Sequence, residues 1–277
     1  MPNSTEPMAP STAAPLCVEQ LCLRYAARPI LSDLSFRLEA GQVAGLIGPN
    51  GAGKSSLIRA IGGGAADLPQ AQVSGRIELA GKCIDQQRQA ALSTLGLALP
   101  PEQLPAMLSG RQALQLIADL RLPASERAAA LSACEDLAAR LGLLPWLDKP
   151  IYSYSLGTRQ KLAVTLALLG EPPLLVLDEV LNGLDPMSAL ALKDELRARA
   201  DRGAAVLLAT HGLEVAERFL DRCLLLQDGR LLADWNAADL QRFRQPGHGG
   251  LEKAVVERLR EAQLASAPGF GLQGAGP

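Results

Sequence analysis

The stretch from residue 48 to residue 55 has the residue types and the spacing to bind a chain of phosphates. Its residues are Gly48, Pro49, Asn50, Gly51, Ala52, Gly53, Lys54 and Ser55. Glycines let the backbone curl tightly with positive φ, so that successive N–H groups point inward at an anion. The lysine then supplies a point charge for the β- and γ-phosphates, and the serine offers a hydroxyl to Mg²⁺.

The segments on both sides of this loop fit the same chemistry. The apolar run Val43–Ile47 is suited to a buried strand. The segment Ser56–Ile61 can open a helix whose positive N-terminal end meets the phosphates, and Ser56 is expected to belong to the binding loop. The alternative is a glycine-rich turn that matches by chance, and the fit of both flanks disfavours it.

A second group with possible chemistry is an acid pair. Leu174–Leu177 is an apolar run followed directly by Asp178 and Glu179. Ligands of open α/β sheets bind at the carboxyl ends of the strands. We therefore expect Asp178 to hold Mg²⁺, directly or through water, and Glu179, pointing the other way in an extended chain, to accept a proton from an attacking water. An acid pair that only marks the end of a strand is the alternative.

Histidine is rare in this chain, which has two in all. His211 follows the apolar run Ala205–Ala209 and Thr210, so it ends a strand that is predicted to neighbour the Asp-Glu strand. There it could donate to the γ-phosphate and hold the water and Glu179 in line. A structural role is the alternative for His211. We interpret His248, which lies between glycines, as part of a flexible linker.

A serine and a glycine begin another predicted helix. Ser155 is a good N-cap for the apolar helix Leu162–Leu169, and Gly157 allows a close backbone approach. A helix start of this kind can bind an anion. An ordinary capped helix explains the same residues equally well, so both interpretations stay open at this point.

Composition excludes several classes of protein. The chain has 277 residues with 27 Lys+Arg against 29 Asp+Glu, a net charge of -2, so no large positive field favours DNA or RNA as the main partner. Aromatic residues make up 3%, which disfavours a platform for stacking bases. The five cysteines form no CxxC pair and are interpreted as packing residues in a reducing compartment.

Hydrophobic residues reach 48%, but no run is long enough to cross a bilayer. The longest candidate, Leu162–Leu181, is interrupted by Gly170–Pro173 and carries Asp178 and Glu179 near its end. The first residues lack a basic region followed by an apolar core, so a signal peptide is not indicated. These features predict a soluble, cytosolic chain.

The pattern of elements predicts an α/β fold. Two strands are expected between Leu16 and Leu38, and a small hairpin at Gly75–Leu79 and Lys82–Ile84. Alanine and leucine at helical spacing between about Ser109 and Leu144 predict two or three inserted helices. After them, apolar runs alternate with helices near 186–200 and 213–219, which is typical of a mostly parallel sheet. A last helix is expected at 251–264.

With these motifs in this order, the chain resembles the ATP-binding cassette (ABC) family, over about Leu16 to Trp235. Tyr25 sits where the family places an aromatic residue that stacks on adenine, and a buried edge tyrosine is the alternative. Tyr154–Thr158 resembles a variant of the Leu-Ser-Gly-Gly-Gln signature, which in this family completes the phosphate site of a partner subunit. Asn182–Asp185 resembles the D-loop, which places Asp185 near the opposite site.

Several positions depart from the family pattern. Leu156 and Thr158 stand where glycine and glutamine are usual, a variant familiar in single-cassette bacterial exporters of the ABC-2 type. Val180 and Leu181 replace the usual Pro and Thr or Ser after the catalytic glutamate. The position where the family has the glutamine of the Gln-loop is a proline in this chain. Glu102 or Gln103 could take over the contact with Mg²⁺, and we assign that contact to Gln103.

The resemblance implies a fold and an activity. The expected fold is an α/β P-loop NTPase core with a mostly parallel sheet, an N-terminal antiparallel β subdomain and an inserted α-helical subdomain. The expected activity is ATP hydrolysis with ATP and Mg²⁺, catalysed by Lys54, Glu179 and His211. Two cassettes, in this case a homodimer or this chain with a sister, would close on the nucleotide. The domains are a disordered tail at 1–15, an ATPase domain at 16–240 with the insert at about 100–165, and a C-terminal helix and tail at 241–277.

The same resemblance implies a partner and a place in the cell. A separate integral membrane subunit is expected to move the cargo, by export, with this chain cytoplasmic and peripheral on the inner face of the cell membrane. No nucleic acid partner is expected. The alternatives are an ABC-type ATPase that acts on nucleic acid or ribosomes, and a regulatory module that binds ATP without turnover.

Overall fold

The computed structural model describes residues 13–245 and 249–266, and the predictions for residues 1–12, His248 and the tail after 266 lie outside that part of the chain. The described residues form an alternation of strands and helices that confirms the α/β class. In chain order the elements are β1 (Leu16–Tyr25), β2 (Arg28–Leu38), β3 (Val43–Ile47), α1 (Lys54–Ile61), β4 (Ala71–Leu79), β5 (Lys82–Cys83), α2 (Ile84–Leu92), β6 (Leu95–Leu97), α3 (Gly110–Arg121), α4 (Ala124–Arg140), α5 (Leu156–Ala167), β7 (Leu174–Asp178), α6 (Pro186–Asp201), β8 (Ala205–Ala209), α7 (Leu213–Phe219), β9 (Arg222–Gln227), β10 (Arg230–Trp235), α8 (Ala237–Phe243) and α9 (Gly250–Ser266).

The central sheet has six strands in the order β10-β9-β3-β8-β7-β6. All neighbours in it are parallel except the edge pair β10 and β9, which confirms the mostly parallel sheet. Every residue of β3 and β8 is buried, as is typical of parallel strands that helices cover on both faces.

A second sheet has four antiparallel strands in the order β2-β1-β4-β5. The two strands expected between Leu16 and Leu38 and the small hairpin after them both belong to it, so the predicted antiparallel subdomain is confirmed. Its buried residues form one core with α1 and one face of the central sheet, which includes Leu57 and Leu207. This core holds the helix that follows the phosphate loop.

The inserted helices α3, α4 and α5 pack on a core of their own, around residues such as Leu114, Ala138 and Leu162. Helix α3 begins with a capping box in which Ser109 and Gln112 satisfy each other's backbone N–H groups. Two or three inserted helices were expected, and these helices confirm that expectation. The domain boundaries themselves stay predictions.

Some elements of the structure were not predicted from the sequence. Strands β6 and β10 and helices α2 and α8 have no counterpart among the predictions. Strand β6 has three residues, which is too short to show an alternation. Helix α5 runs from Leu156, directly after its cap Ser155, to Ala167, so it begins before the apolar helix expected at Leu162–Leu169 and ends two residues earlier than expected. In the described ranges, no helix has both the length and the apolar character that crossing a membrane requires.

The order of the strands brings three carboxyl ends together. Strand β8 lies between β3 and β7, and Ala209 at its end is in register with Leu46 on one side and with Asp178 on the other. The backbone N–H of Thr210 donates to Leu46 O at 3.2 Å, and that of Glu179 donates to Ala209 O at 2.9 Å. The residues that follow these three strands therefore share one edge of the sheet.

Candidate functional site

The loop between β3 and α1 has the backbone that its glycines permit. Gly48, Gly51 and Gly53 have φ of 153°, 81° and 108°, which lie in the region that glycine favours. A Cβ on Gly48 would lie 2.1 Å from the carbonyl oxygen of Leu226, so no other residue fits there without displacing strand β9. Pro49, Asn50 and Gly51 are exposed at the tip, Ser56 is half-buried, and Ala52 is buried under the loop.

Lys54 is the first residue of α1 and is 7% exposed. Its Nζ donates to the carbonyl oxygens of Gly48 at 2.7 Å and Pro49 at 3.2 Å. An ammonium has three donors, so one is left for an anion. Within the described residues, the hydrogen bonds of Lys54 go to carbonyl oxygens and not to a carboxylate. The charge of its ammonium group is therefore available to a bound anion.

Ser55 and Asp178 meet in this structure, although 123 residues separate them in the chain. The Ser55 hydroxyl donates to Asp178 Oδ2 at 3.0 Å. Burial raises the pKa of the Asp178 carboxyl, and the charge of Glu179 adds to this, while the hydrogen bond from Ser55 opposes it. A bound cation would stabilise the ionised form of a carboxylate that burial has removed from solvent.

Glu179 departs from the extended conformation expected for it. Its φ is 50°, in the left-handed region, which is unfavourable for a residue with a side chain. Strand β7 ends at Asp178, and the chain then turns, with Asn182 N–H donating to Glu179 O at 3.0 Å. The turn, rather than the alternation of a strand, sets the direction of the Glu179 side chain.

His211 lies beside Glu179, as the neighbouring strands predict. Its Nδ1 is 3.2 Å from Glu179 Oε1, and the side chains are 62% and 39% exposed, respectively. A carboxylate can only accept, so Nδ1 carries the proton of this hydrogen bond. The Nε2 atom stays available for a ligand that enters from solvent.

Ser155 and Gly157 occupy the start of α5, where the signature was expected. Ser155 Oγ accepts from Thr158 N–H at 3.2 Å and caps the helix. A Cβ on Gly157 would lie 3.1 Å from Gly183 O, so the helix start packs directly on the D-loop of its own chain. The next residue after the cap, Leu156, is 65% exposed.

Asp185 has a structural role within the chain. It caps α6 by accepting from Ser188 N–H at 2.9 Å, and it accepts from Lys161 Nζ of α5 at 2.8 Å. Hydrogen bonds from Lys161 and Ser188 hold the pKa of this carboxyl well below its usual range. Lys161 is a contact that sequence reasoning missed, because a pair 24 residues apart leaves no periodic signal.

Tyr25 ends β1 and is half-buried against the core of the antiparallel sheet. Its hydroxyl is buried, with no hydrogen-bond partner among the described residues. Tyr25 is half-buried at the end of a strand that lies between β2 and β4, so both its stacking on adenine and the alternative of a buried edge tyrosine stay untested predictions.

A cleft of about 600 Å³ lies between the acid pair after β7 and the start of α5. Its walls include Ser55, Asp178 and Glu179 on the sheet side and Gly157 on the helical side. The segment at the expected Gln-loop contributes four residues to the lining, namely Leu99, Pro100, Pro101 and Glu102. Gln103 is exposed and is not one of the lining residues, so its contact with Mg²⁺ stays a prediction with weaker support than one from Glu102.

The donors present fit a magnesium ion that is shared with a substrate. Among the described residues, no cluster of three or more His, Cys, Asp or Glu could hold a metal by itself. Mg²⁺ usually takes one or two protein oxygens, several waters and substrate phosphates. Ser55 Oγ and Asp178 Oδ2, which lie 3.0 Å apart beside the phosphate loop, match that kind of site.

Replacing Asp178 by asparagine is expected to weaken Mg²⁺ binding by about 10- to 100-fold, since a neutral amide replaces the charged oxygen. Titration of ATP hydrolysis with Mg²⁺ measures the change as a higher concentration for half-maximal rate. Asp67→Asn, which changes an exposed acid paired with Arg88, is the matched control and is expected to leave the titration unchanged. An unchanged titration for Asp178→Asn would remove Asp178 from the site.

These elements define a class of protein: a P-loop nucleotide hydrolase, with the phosphate loop after β3 and an acid pair after β7. Comparison with known proteins gives a family. The family model described as ABC transporter matches residues 31–182, which is more than half of the chain. A model described as an AAA domain also matches residues 148–217.

Individual relatives agree with this match. The chain is 35% identical to the daunorubicin resistance ATP-binding protein DrrA3 of Streptomyces coeruleorubidus, covering 88% of this chain and 73% of that protein. It is 31% identical to the Nod factor export ATP-binding protein I of Ralstonia nicotianae, covering 81% of this chain and 68% of that protein. A solved structure of an ATP-binding subunit of an ABC transporter superposes with a TM-score of 0.79 and 30% identity, over 88% of this chain and 99% of that one. The chain belongs to the ABC transporter family, as an ATP-hydrolysing subunit.

Proposed function

We propose that this chain hydrolyses Mg²⁺-ATP at a site shared between two cassettes and so drives export through a separate membrane subunit. The observation that carries the proposal is the convergence of Lys54, Ser55, Asp178, Glu179 and His211 on one edge of the central sheet. The direction of transport rests on the relatives, since one of them is named for Nod factor export.

The side chains divide the reaction between them. Glu179 accepts a proton from a water, whose oxygen attacks the γ-phosphorus while the bond to the bridging oxygen of ADP breaks. Lys54 and His211 stabilise the negative charge that spreads over the γ-phosphoryl oxygens. Mg²⁺, held by Ser55 and Asp178, would neutralise charge on the β- and γ-phosphates.

The exposure of the site supports a shared arrangement. Glu179 and His211 are 39% and 62% exposed, so a single chain leaves its reacting groups open to water. The α5 start, with Ser155 at its cap and Leu156 65% exposed, is a free surface of the same chain. If Ser155 and Gly157 of a second cassette cover the γ-phosphate, the site becomes enclosed and gains hydrogen-bond donors. Asp185 would lie near the opposite site.

A groove next to the cleft suits the membrane subunit. It has a volume of about 200 Å³ and lies between the central sheet and the inserted helices, lined by apolar side chains such as Leu97, Leu104 and Ile117. Arg121 also lines it, donates weakly to Leu166 O at 3.5 Å, and forms none of the ion pairs found within the described residues. Burial lowers the pKa of its guanidinium. An apolar side chain from a helix of the membrane subunit would fill the groove, and a carboxylate on the same helix would pair this charge.

Reversing the charge of Arg121 is expected to break this contact without affecting the ATP site. In a tagged chain expressed in its own cells, Arg121→Glu should lose at least about tenfold in recovery of a multi-span membrane protein from detergent extracts, because the partner's acid would then face another acid. The basal rate of phosphate release by the isolated chain should not change.

Arg258→Glu is the matched control, since Arg258 lies on the exposed face of α9 and pairs with Glu261. It is expected to recover the membrane protein as the parent chain does. Full recovery with Arg121→Glu would contradict docking at this groove. Such docking would place the chain at the inner face of the cell membrane.

A further inference from the structure

The turn after β7 holds itself together through its backbone. Asn182 N–H donates to Glu179 O at 3.0 Å and closes the turn. Val180, inside it, is fully buried in the core on the helix α6 side of the central sheet, and Leu181 packs against the same core. The turn therefore has an anchor and a closing hydrogen bond that do not need the side chain of Asn182.

The Asn182 side chain points instead at the reacting groups. Its Nδ2 donates to Glu179 Oε2 at 3.0 Å and lies 3.5 Å from His211 Nδ1. The amide nitrogen must face Glu179, because an ionised carboxylate has no proton to give. Glu179 is thus held at both oxygens, by Asn182 at Oε2 and by His211 at Oε1.

We infer that Asn182 is a positioning residue for hydrolysis: its amide fixes the Glu179 carboxylate in the direction needed to accept the water's proton. The inference rests on the proposed function, in which Glu179 accepts the proton of the attacking water. Oε1 of Glu179 must be free to take that proton, and Asn182 at Oε2 is then the contact that keeps the carboxylate in place. A side chain three residues from Glu179, on a turn with a buried anchor, moves with it as one unit.

The contact bears on the rate because it sets the position of the reacting carboxylate. A buried Val180 anchors the turn, and Asn182 makes the polar contact to Glu179. A misplacement of a reacting group by about 1 Å can cost about 100-fold in rate. The expected effect of losing the amide is therefore on turnover and not on ATP binding.

The test is the steady-state ATPase rate of Asn182→Ala and Asn182→Asp with the full chain. We expect kcat to fall about 10- to 100-fold in Asn182→Ala, with KM for ATP and the melting temperature close to those of the parent. Asn182→Asp keeps the shape but puts a second carboxylate against Glu179, so its kcat should fall at least as far. The aspartate variant also tests the inference if the alanine variant does not fold. Full kcat in the aspartate variant overturns the inference.

Asn236→Ala is the matched control. Asn236 caps α8 by accepting from Ala238 N–H at 2.9 Å and Asp239 N–H at 3.1 Å, remote from the site in sequence. Its loss should leave kcat unchanged and lower the melting temperature. A fall in kcat as large as that of Asn182→Ala would mean that loss of any such asparagine slows the enzyme, which contradicts positioning.

A double variant separates action through Glu179 from action elsewhere. If Asn182 works through Glu179, Asn182→Ala should not lower further the residual rate of Glu179→Gln. If Asn182→Ala lowers the rate of Glu179→Gln by the same factor as it lowers that of the parent chain, the inference is overturned. A Glu179→Gln variant as active as the parent overturns the role of Glu179 itself, whereas an inactive one beside a fully active Asn182→Ala overturns only the role of Asn182.

Discussion

Glu179→Gln is expected to stop sustained ATP hydrolysis while ATP still binds. Glutamine has nearly the same shape, so it keeps the turn that Val180 anchors, but it cannot accept the proton of the attacking water. Removing a general base lowers turnover by about 10²- to 10⁴-fold. Phosphate release under saturating Mg²⁺-ATP measures the loss, and equilibrium binding of ATP is expected to be as tight as in the parent.

Glu257→Gln provides the matched control for this change. Glu257 is 57% exposed on α9, where it faces Lys253, and it takes no part in the proposed reaction. Its phosphate release should equal that of the parent chain. If Glu179→Gln hydrolyses ATP as fast as Glu257→Gln, another group takes the proton and the assignment of the base fails.

Two inactive variants are expected to restore each other. Lys54→Met removes the charge from the phosphate loop, and Ser155→Ala removes a hydroxyl from the helix start that is proposed to cover the partner's γ-phosphate. Each alone should lose about 10²- to 10³-fold in turnover, as expected when a donor to developing charge is removed. In an equal mixture, half of the pairs are mixed and each mixed pair keeps one intact site, so about a quarter of the parent rate should return.

The outcome of mixing discriminates between shared and separate sites. Separate sites would give only the mean of the two impaired rates at every ratio. Ser109→Ala, which removes the N-cap of α3, controls for the loss of a helix cap by itself and should stay active when alone. Full activity at concentrations where the chain is a monomer would also remove the shared-site arrangement.

The prediction of the sheet succeeded where the residues carry strong local signals. Runs such as Val43–Ile47 and Leu174–Leu177 are apolar without interruption, which is typical of parallel strands covered on both faces. Strand β6 was missed because its three residues cannot show an alternation. The start of α5 was obscured by the polar residues Arg159–Lys161, which follow the cap before the apolar half begins.

Some site residues could likewise be assigned from the sequence, and others could not. Gly48–Ser55 could be assigned from the sequence because the loop's chemistry lies in one contiguous stretch. The conformation of Glu179 could not, since its positive φ depends on the hydrogen bond to Ala209 in a neighbouring strand and on a turn that a buried valine anchors. Tyr25 shows the limit most plainly, because its packing against the antiparallel sheet follows from neighbours that are distant in sequence.

The sequence by itself determined the class of chemistry: a loop with three glycines before a lysine and a serine, an acid pair after a buried strand, and a histidine after another. Those signals are local, since each depends on residue types within one turn or one strand. The tertiary structure decided which side chains meet. The order of β3, β8 and β7 brings Ser55 to Asp178 and His211 to Glu179, and the turn brings Asn182 to both groups of that pair. Hydrogen bonds between residues far apart in the chain depend on strand order and register, which no short stretch of sequence contains.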